Sequence, residues 1–224
     1  MKRFILLIVF MSLCLNVKAQ IAKDSIDSKY LEDQIYLGLT YNLLLNKPAN
    51  IAQNGFSGGF SFGFIKDIPV NNERNKSIGI GLGYSYNTFI QNLKITKVNN
   101  NIVFETAQNY STNRFGLSSI EMPIELRWRG STPSKYKFWR VYAGFKMSYI
   151  LASKTLFRDN VSSISTINIA EINKFQYGLT IAAGFSTWNL YAYYGLNPLF
   201  DNVVFNNKSL NLKELNIGLK FYIM

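Results

Sequence analysis

The chain has 224 residues, with 24 Lys and Arg against 13 Asp and Glu, 15% aromatic content, one cysteine and no histidine. The lack of histidine removes the usual base of a serine triad and the commonest metal ligand, and a lone cysteine excludes an internal disulfide. The formal charge of +11 raises nucleic acid as a partner, but no basic run with interleaved aromatics is present, so no nucleic-acid contact is expected.

Lys2 and Arg3 precede an apolar run over residues 4–15, and Val17-Lys18-Ala19 forms a small-residue cleavage pattern before Gln20. The run is shorter than the roughly 20 residues a membrane span needs, so residues 1–19 read as a signal peptide cleaved between Ala19 and Gln20. Cys14 leaves with it, since Leu13 is not the small residue that lipid attachment requires. Loss of Lys2, Arg3 and Lys18 takes the charge from +11 to +8. An exported basic protein meets lipid headgroups, lipopolysaccharide or acidic glycans. Residues 20–34 are polar and read as a periplasmic linker.

Eight strands follow, over residues 35–224. Strand one (35–45) alternates Ile35, Leu37, Leu39, Tyr41 and Leu43 with Tyr36, Gly38, Thr40 and Asn42. Strand two (58–66) sets Phe60, Phe62 and Phe64 against Gly59, Ser61 and Gly63, and strand three (77–97) sets Ile78, Ile80, Leu82, Tyr84 and Tyr86 against Gly79, Gly81, Gly83, Ser85 and Asn87. Strand four (117–129) alternates Ile120, Met122, Ile124, Leu126 and Trp128 with Glu121, Pro123, Glu125, Arg127 and Arg129. Strand five (138–157) carries Arg140, Tyr142, Gly144, Lys146 and Ser148 on its polar face, and strand six (173–187) Phe175, Tyr177, Leu179, Ile181, Ala183 and Phe185 on its oily one. Strand seven spans 190–196, and strand eight ends the chain with Leu215, Ile217, Leu219, Phe221 and Ile223 on one face. No segment keeps a helical period, and no later apolar run is long enough for a spanning helix.

Connections after strands two, four and six are short; those after one, three, five and seven are mostly longer and rich in Asn and Ser. With an exported chain of two-faced strands, this predicts an all-β, eight-stranded antiparallel up-and-down transmembrane β-barrel in the outer membrane, long loops outside and termini in the periplasm. Trp128, Trp139 and Trp188 all fall beside short turns, where a periplasmic interface girdle belongs. Glycines crowd the polar face. Glycine facing a narrow lumen makes room for neighbours, so the polar face is read as inward and the oily face as lipid-facing. Glu121, Glu125, Arg127, Arg129, Arg140, Lys146 and Lys220 then form a charge cluster in the lumen, read as a plug of ion pairs in preference to an anion path. No catalytic, cofactor or metal site is read: Glu121 and Glu125 lie about 14 Å apart along the strand, too wide for most paired-carboxylate chemistry. Pro123 predicts a bulge over 122–124, because a closed barrel has no edge on which to put a proline.

Ser119-Ile120-Glu121-Met122-Pro123-Ile124-Glu125-Leu126-Arg127 resembles the E-x-P strand of the PorT-like outer-membrane β-barrel family of Bacteroidetes. Tyr142-Ala143-Gly144-Phe145-Lys146, Tyr177-Gly178-Leu179 and Tyr194-Gly195-Leu196-Asn197-Pro198-Leu199 fit the same family. The resemblance implies a small cell-envelope barrel with no single defined activity, in a group named for a member linked to type IX secretion and gliding. The chain ends in Ile223-Met224 where assembly signals usually end in Phe. The expected function is a structural or interaction scaffold and not an enzyme, without cofactor. Expected partners are outer-membrane lipid and lipopolysaccharide, the barrel assembly machinery and components of a secretion system. The alternative is a narrow pore for small solutes, and a third possibility is a lipid-modifying enzyme using a loop serine such as Ser111 or Ser118.

Overall fold

The computed structural model describes residues 33–99, 101–130 and 138–223; the proposed signal peptide and nearly all of the linker lie outside them. The described residues contain thirteen strands and no helix. In chain order these are β1 (Gln34–Leu45), β2 (Gly58–Pro69), β3 (Lys76–Ile90), β4 (Leu93–Val98), β5 (Asn101–Thr106), β6 (Thr112–Arg129) and β7 (Trp139–Arg158). They continue with β8 (Ser163–Ile167), β9 (Phe175–Phe185), β10 (Trp188–Gly195), β11 (Val204–Phe205), β12 (Lys208–Ser209) and β13 (Lys213–Ile223).

Eight of them form a closed antiparallel barrel in the order β1, β2, β3, β6, β7, β9, β10, β13. Closure comes from β1 against β13, from Ile35 opposite Ile223 to Leu45 opposite Lys213. Gln34, placed in the linker by sequence, is the first residue of β1 and is fully buried. Alternation decides the two faces as expected: Leu37, Phe62, Leu82, Leu126, Leu179 and Leu190 are exposed on the outside, while Tyr36, Ser85, Glu121, Tyr142 and Asn189 are buried inside.

Two sequence expectations are corrected. The third strand does not run to Lys97: β3 ends at Ile90, and β4 pairs with β5 as a separate hairpin from Leu93 opposite Thr106 to Val98 opposite Asn101. Nor is there a bulge at Pro123. Register with β7 is unbroken there, with Met122, Pro123 and Ile124 opposite Met147, Lys146 and Phe145. On the β3 side pairing skips from Ile80–Ile124 to Gly83–Glu121 without slipping. The missing proline N–H therefore faces β3, and the ladder loses local pairing without changing register. The bulge lies instead between Ser118 and Ser119, which face Ala152 and Ile150, leaving Leu151 as the additional residue on β7.

At the end that carries the first and last barrel strands' outer termini, β2 and β3 are joined by residues 70–75 and β9 and β10 by Ser186-Thr187 alone. At the other end the connections are folded. Asn206 and Asn207, both at positive φ, make the two-residue turn between β11 and β12, the backbone that hairpins of this length require and that Asn tolerates. The 18-residue β6 and 20-residue β7 exceed the roughly 9–11 residues that cross a bilayer, so they carry this folded end above the barrel.

Candidate functional site

The lumen is filled from side to side. At the terminus-bearing end Asp67 accepts hydrogen bonds from Ser77 Oγ (2.7 Å) and Arg127 Nη1 (3.1 Å), and its second oxygen lies 2.9 Å from Arg129 Nη1. Arg127 also donates through Nε to Glu125 (3.1 Å) and through Nη2 to Gln34 (3.0 Å), with its guanidinium 4.5 Å from the Tyr142 ring. Glu125 Oε1 accepts from Lys220 Nζ (3.2 Å) and Tyr222 Oη (3.0 Å). One layer on, Glu121 accepts from Tyr36 Oη (2.7 Å) and Lys146 Nζ (3.1 Å). Lys146 sits 4.1 Å over Tyr193, and Lys220 4.2 Å over Tyr36. In a water-poor interior each charge needs both a counter-charge and hydrogen bonds, and these layers supply both.

Of the seven predicted lumen charges, six join this network. The seventh, Arg140, is buried opposite Arg129 and lies 4.6 Å from the Phe138 ring; its Nε and Nη1 have no hydrogen-bond acceptor among the described residues. Asp67 lies one residue beyond the expected end of strand two at Lys66, although it shares inward parity with Gly63 and Ile65. Tyr36, Tyr142 and Tyr222 also share the polar face, so the aromatic half of the plug is readable from alternation. Glycine explains how it fits. A Cβ at Gly79 would lie 2.6 Å from Arg127 Nε, and one at Gly83 would collide with the Tyr36 hydroxyl.

Above these layers Ser85 and Ser119 share a 2.8 Å hydrogen bond and Asn42 donates to Asn87. The free space among Ser85, Ser119, Lys146 and Glu214 is about 10 Å³, about the least that holds one water. Beyond it the inward residues become apolar, which the uniform polar-inside expectation did not foresee. Leu44, Phe89, Phe115, Leu117 and Ile150 from the strand tops pack with Ile95, Ile172, Leu199, Phe200 and Leu210 from the loops into a buried cap. Phe200 stands edge-on to Phe104 at 5.4 Å and stacks on Phe115 at 5.7 Å.

The three tryptophans lie on the outer face beside the narrow turns, each exposed. Trp139 meets Phe185 edge-to-face at 5.6 Å, and Trp188 meets Phe221 at 4.7 Å. Closed eight-strand topology, an apolar outer face and a buried polar lumen describe a barrel whose solvent is lipid. The family model for an outer membrane protein beta-barrel domain matches residues 18–201. The chain belongs to this outer-membrane β-barrel family. It is thus a small outer-membrane barrel protein. Among solved structures it is similar to Ail, the attachment invasion locus protein of Yersinia pestis, at 13% identity over 85% of this chain and 96% of that one, with a TM-score of 0.39. No curated protein matches the chain.

Proposed function

We propose that this protein is a sealed structural and interaction barrel: a lipid-embedded scaffold that presents a folded outer platform, neither pore nor enzyme. The observation that carries this reading is the double closure of the lumen, by the ion-pair layers from Asp67 to Lys146 and by the apolar cap around Phe200. A solute path needs wet, unpaired charge, and here Arg127, Lys146 and Lys220 are each held by carboxylates. The same pairing leaves Glu121 and Glu125 without a free role as acid or base.

The resemblance to PorT-like barrels supports a finer reading in which the platform or the narrow turns bind a component of type IX secretion, after delivery by the barrel assembly machinery. Purified protein in planar bilayers is expected to pass no steady current; stable single-channel steps would establish the pore alternative. Deleting the gene and assaying secreted type IX cargo tests the finer reading, with unchanged secretion counting against it.

A further inference from the structure

The outer platform leaves a sheet edge open at β8. Strand β7 pairs with β9 up to Tyr149–Phe175 and with β8 from Lys154–Ile167 onward. Between β8 and β9 the chain arches over residues 168–174, and arch and wall enclose a cleft of about 330 Å³ beside Leu151, Ala152 and Lys174. The next position in the wall is filled only at the level of the arch. There Asn173 N–H donates to Leu199 O (2.9 Å) and Asp201 N–H to Glu171 O (2.8 Å). Asn202, at a φ of 53°, then bends the chain inward, and Val203 and Phe205 are buried in the cap. Beside β8 no described strand follows, and β8 ends the sheet.

Register decides which backbone groups lie on that edge. Asn168 N–H donates to Ser153 O (2.9 Å) at one end of β8, and Asp159 N–H to Ser162 O (3.0 Å) at the other. Hydrogen-bonded pairs alternate along an antiparallel ladder, so Ile164 and Thr166 also turn their N–H and C=O groups to β7, while those of Ser163, Ser165 and Ile167 point to the open side. No backbone partner among the described residues meets them. Proteins blunt such edges with charge, proline or a bulge; Ser163-Ile164-Ser165-Thr166-Ile167 carries none of these.

The edge is flanked by positive charge on one face and apolar surface on the other. Outward, Arg158 stands opposite Ser163 and Lys154 opposite Ile167, both exposed. The acid next in sequence, Asp159, is held by the N–H groups of Val161 and Ser162. Inward, Ile164 stands opposite the buried Phe157, and β4 packs alongside, its Ile95 C=O accepting from Thr155 Oγ1 (3.0 Å). An added strand lies about 4.8 Å beyond β8, where acidic side chains on its outward face reach across to Arg158 and Lys154. A second copy does not fit: antiparallel self-pairing needs a twofold axis through the wall, which inverts one barrel against the other and gathers Lys154 and Arg158 of both copies around one ladder.

We infer that β8 takes up one extended, acidic segment of a protein partner outside the cell, added antiparallel as the next strand of the wall. Its acidic residues alternate with apolar ones, the acids beside Arg158 and Lys154 and the apolar side chains beside Ile164. The inference rests on the scaffold reading and names the kind of partner that the platform binds.

The test is NMR of the folded full-length mature barrel in micelles, titrated to millimolar concentration with a Glu-Val-Thr-Val-Glu peptide capped at both ends. The amide signals of Ser163, Ser165 and Ile167 should shift and become protected from exchange, and a Lys-Val-Thr-Val-Lys peptide should bind at least roughly tenfold more weakly, two exposed ion pairs accounting for the difference. Ser165→Pro removes an N–H from the open side alone and leaves the β7 ladder whole; it should abolish binding, whereas Ser165→Ala should not. Lys154→Glu with Arg158→Glu leaves the backbone untouched and should reverse the preference between the two peptides. Folding of every variant is checked by the heat-dependent gel shift of an intact barrel. Absence of binding by both peptides, or undiminished binding to the Ser165→Pro barrel, overturns the edge as a site. An unchanged preference in the charge variant overturns the acidic partner, and self-association of the barrel that Ser165→Pro abolishes gives the edge to a second copy instead. The outward platform is read separately: Val161→Cys should react with a membrane-impermeant maleimide on whole cells, and failure there sinks the platform itself, whatever the peptides do.

Discussion

Glu125 shows how one carboxylate can hold two strands together across the lumen. It accepts from Arg127 two positions along β6 and from Lys220 and Tyr222 on β13. Removing one partner of a buried pair leaves a charge without compensation, so Glu125→Ala is expected to destabilise the barrel by about 3–5 kcal/mol in urea unfolding followed by tryptophan fluorescence. The exposed pair Lys66–Asp33, shorter at 2.6 Å, should lose less than about 1 kcal/mol on Lys66→Ala, because water screens it. Gly83 gives the complementary steric test. Gly83→Ala drives a methyl into the Tyr36 hydroxyl and towards the Phe62 carbonyl, with an expected cost of roughly 1–3 kcal/mol. Combining it with Tyr36→Phe should cost less than the sum of the two single changes, since the colliding oxygen is gone. Alternation alone made Glu125, Gly83 and Tyr36 lumen residues; which carboxylate meets which cation was not legible, because partners such as Glu125 and Lys220 lie far apart in sequence and meet only on closure.

Among the elements, β7 is the informative one. It carries both the lumen residues Arg140, Tyr142 and Lys146 and the bulge that opens the outer cleft. Leu151 and Ala152 are both exposed, whereas Ile150 and Ser153 are both buried. Deleting Leu151 therefore restores strict alternation without turning Ser153 outward or Lys154 inward. The deletion is expected to yield a folded, heat-modifiable barrel; failure to fold would mean that the bulge is needed for closure. Pro123 does not mark the bulge, which lies at Ser118 and Ser119 opposite Leu151. A proline removes one donor, and a wide antiparallel sheet absorbs that loss on one side without adding a residue. No turn signal or proline marks Leu151, so the true bulge had no local signature beyond two successive outward residues.

At the scale of the whole molecule the two seals act in series. Leu199→Asp with Phe200→Asp places charge in the apolar cap and should make the outer loops sensitive to protease. The same variant should still pass no current in planar bilayers, because the layers around Glu121 and Glu125 remain paired below it. Measurable conductance in the cap variant alone would show that the cap, and not the charge network, closes the barrel. Protease sensitivity without conductance would show that the outer platform is separable from the membrane-embedded part, as the proposed scaffold role requires.

The number of barrel strands, the inward and outward faces of the wall, the basic and glycine-rich lumen and the sided distribution of loops were all determined by the sequence itself, since a period of two and the spacing of turns are local properties of the chain. The tertiary structure alone decided the ion-pair partners, the position of the bulge, the folded loop cap and the cleft beside Lys174. Each of these depends on contacts between residues brought together only when β1 meets β13 and the long connections fold over the mouth, and no window along the chain contains both sides of such a contact.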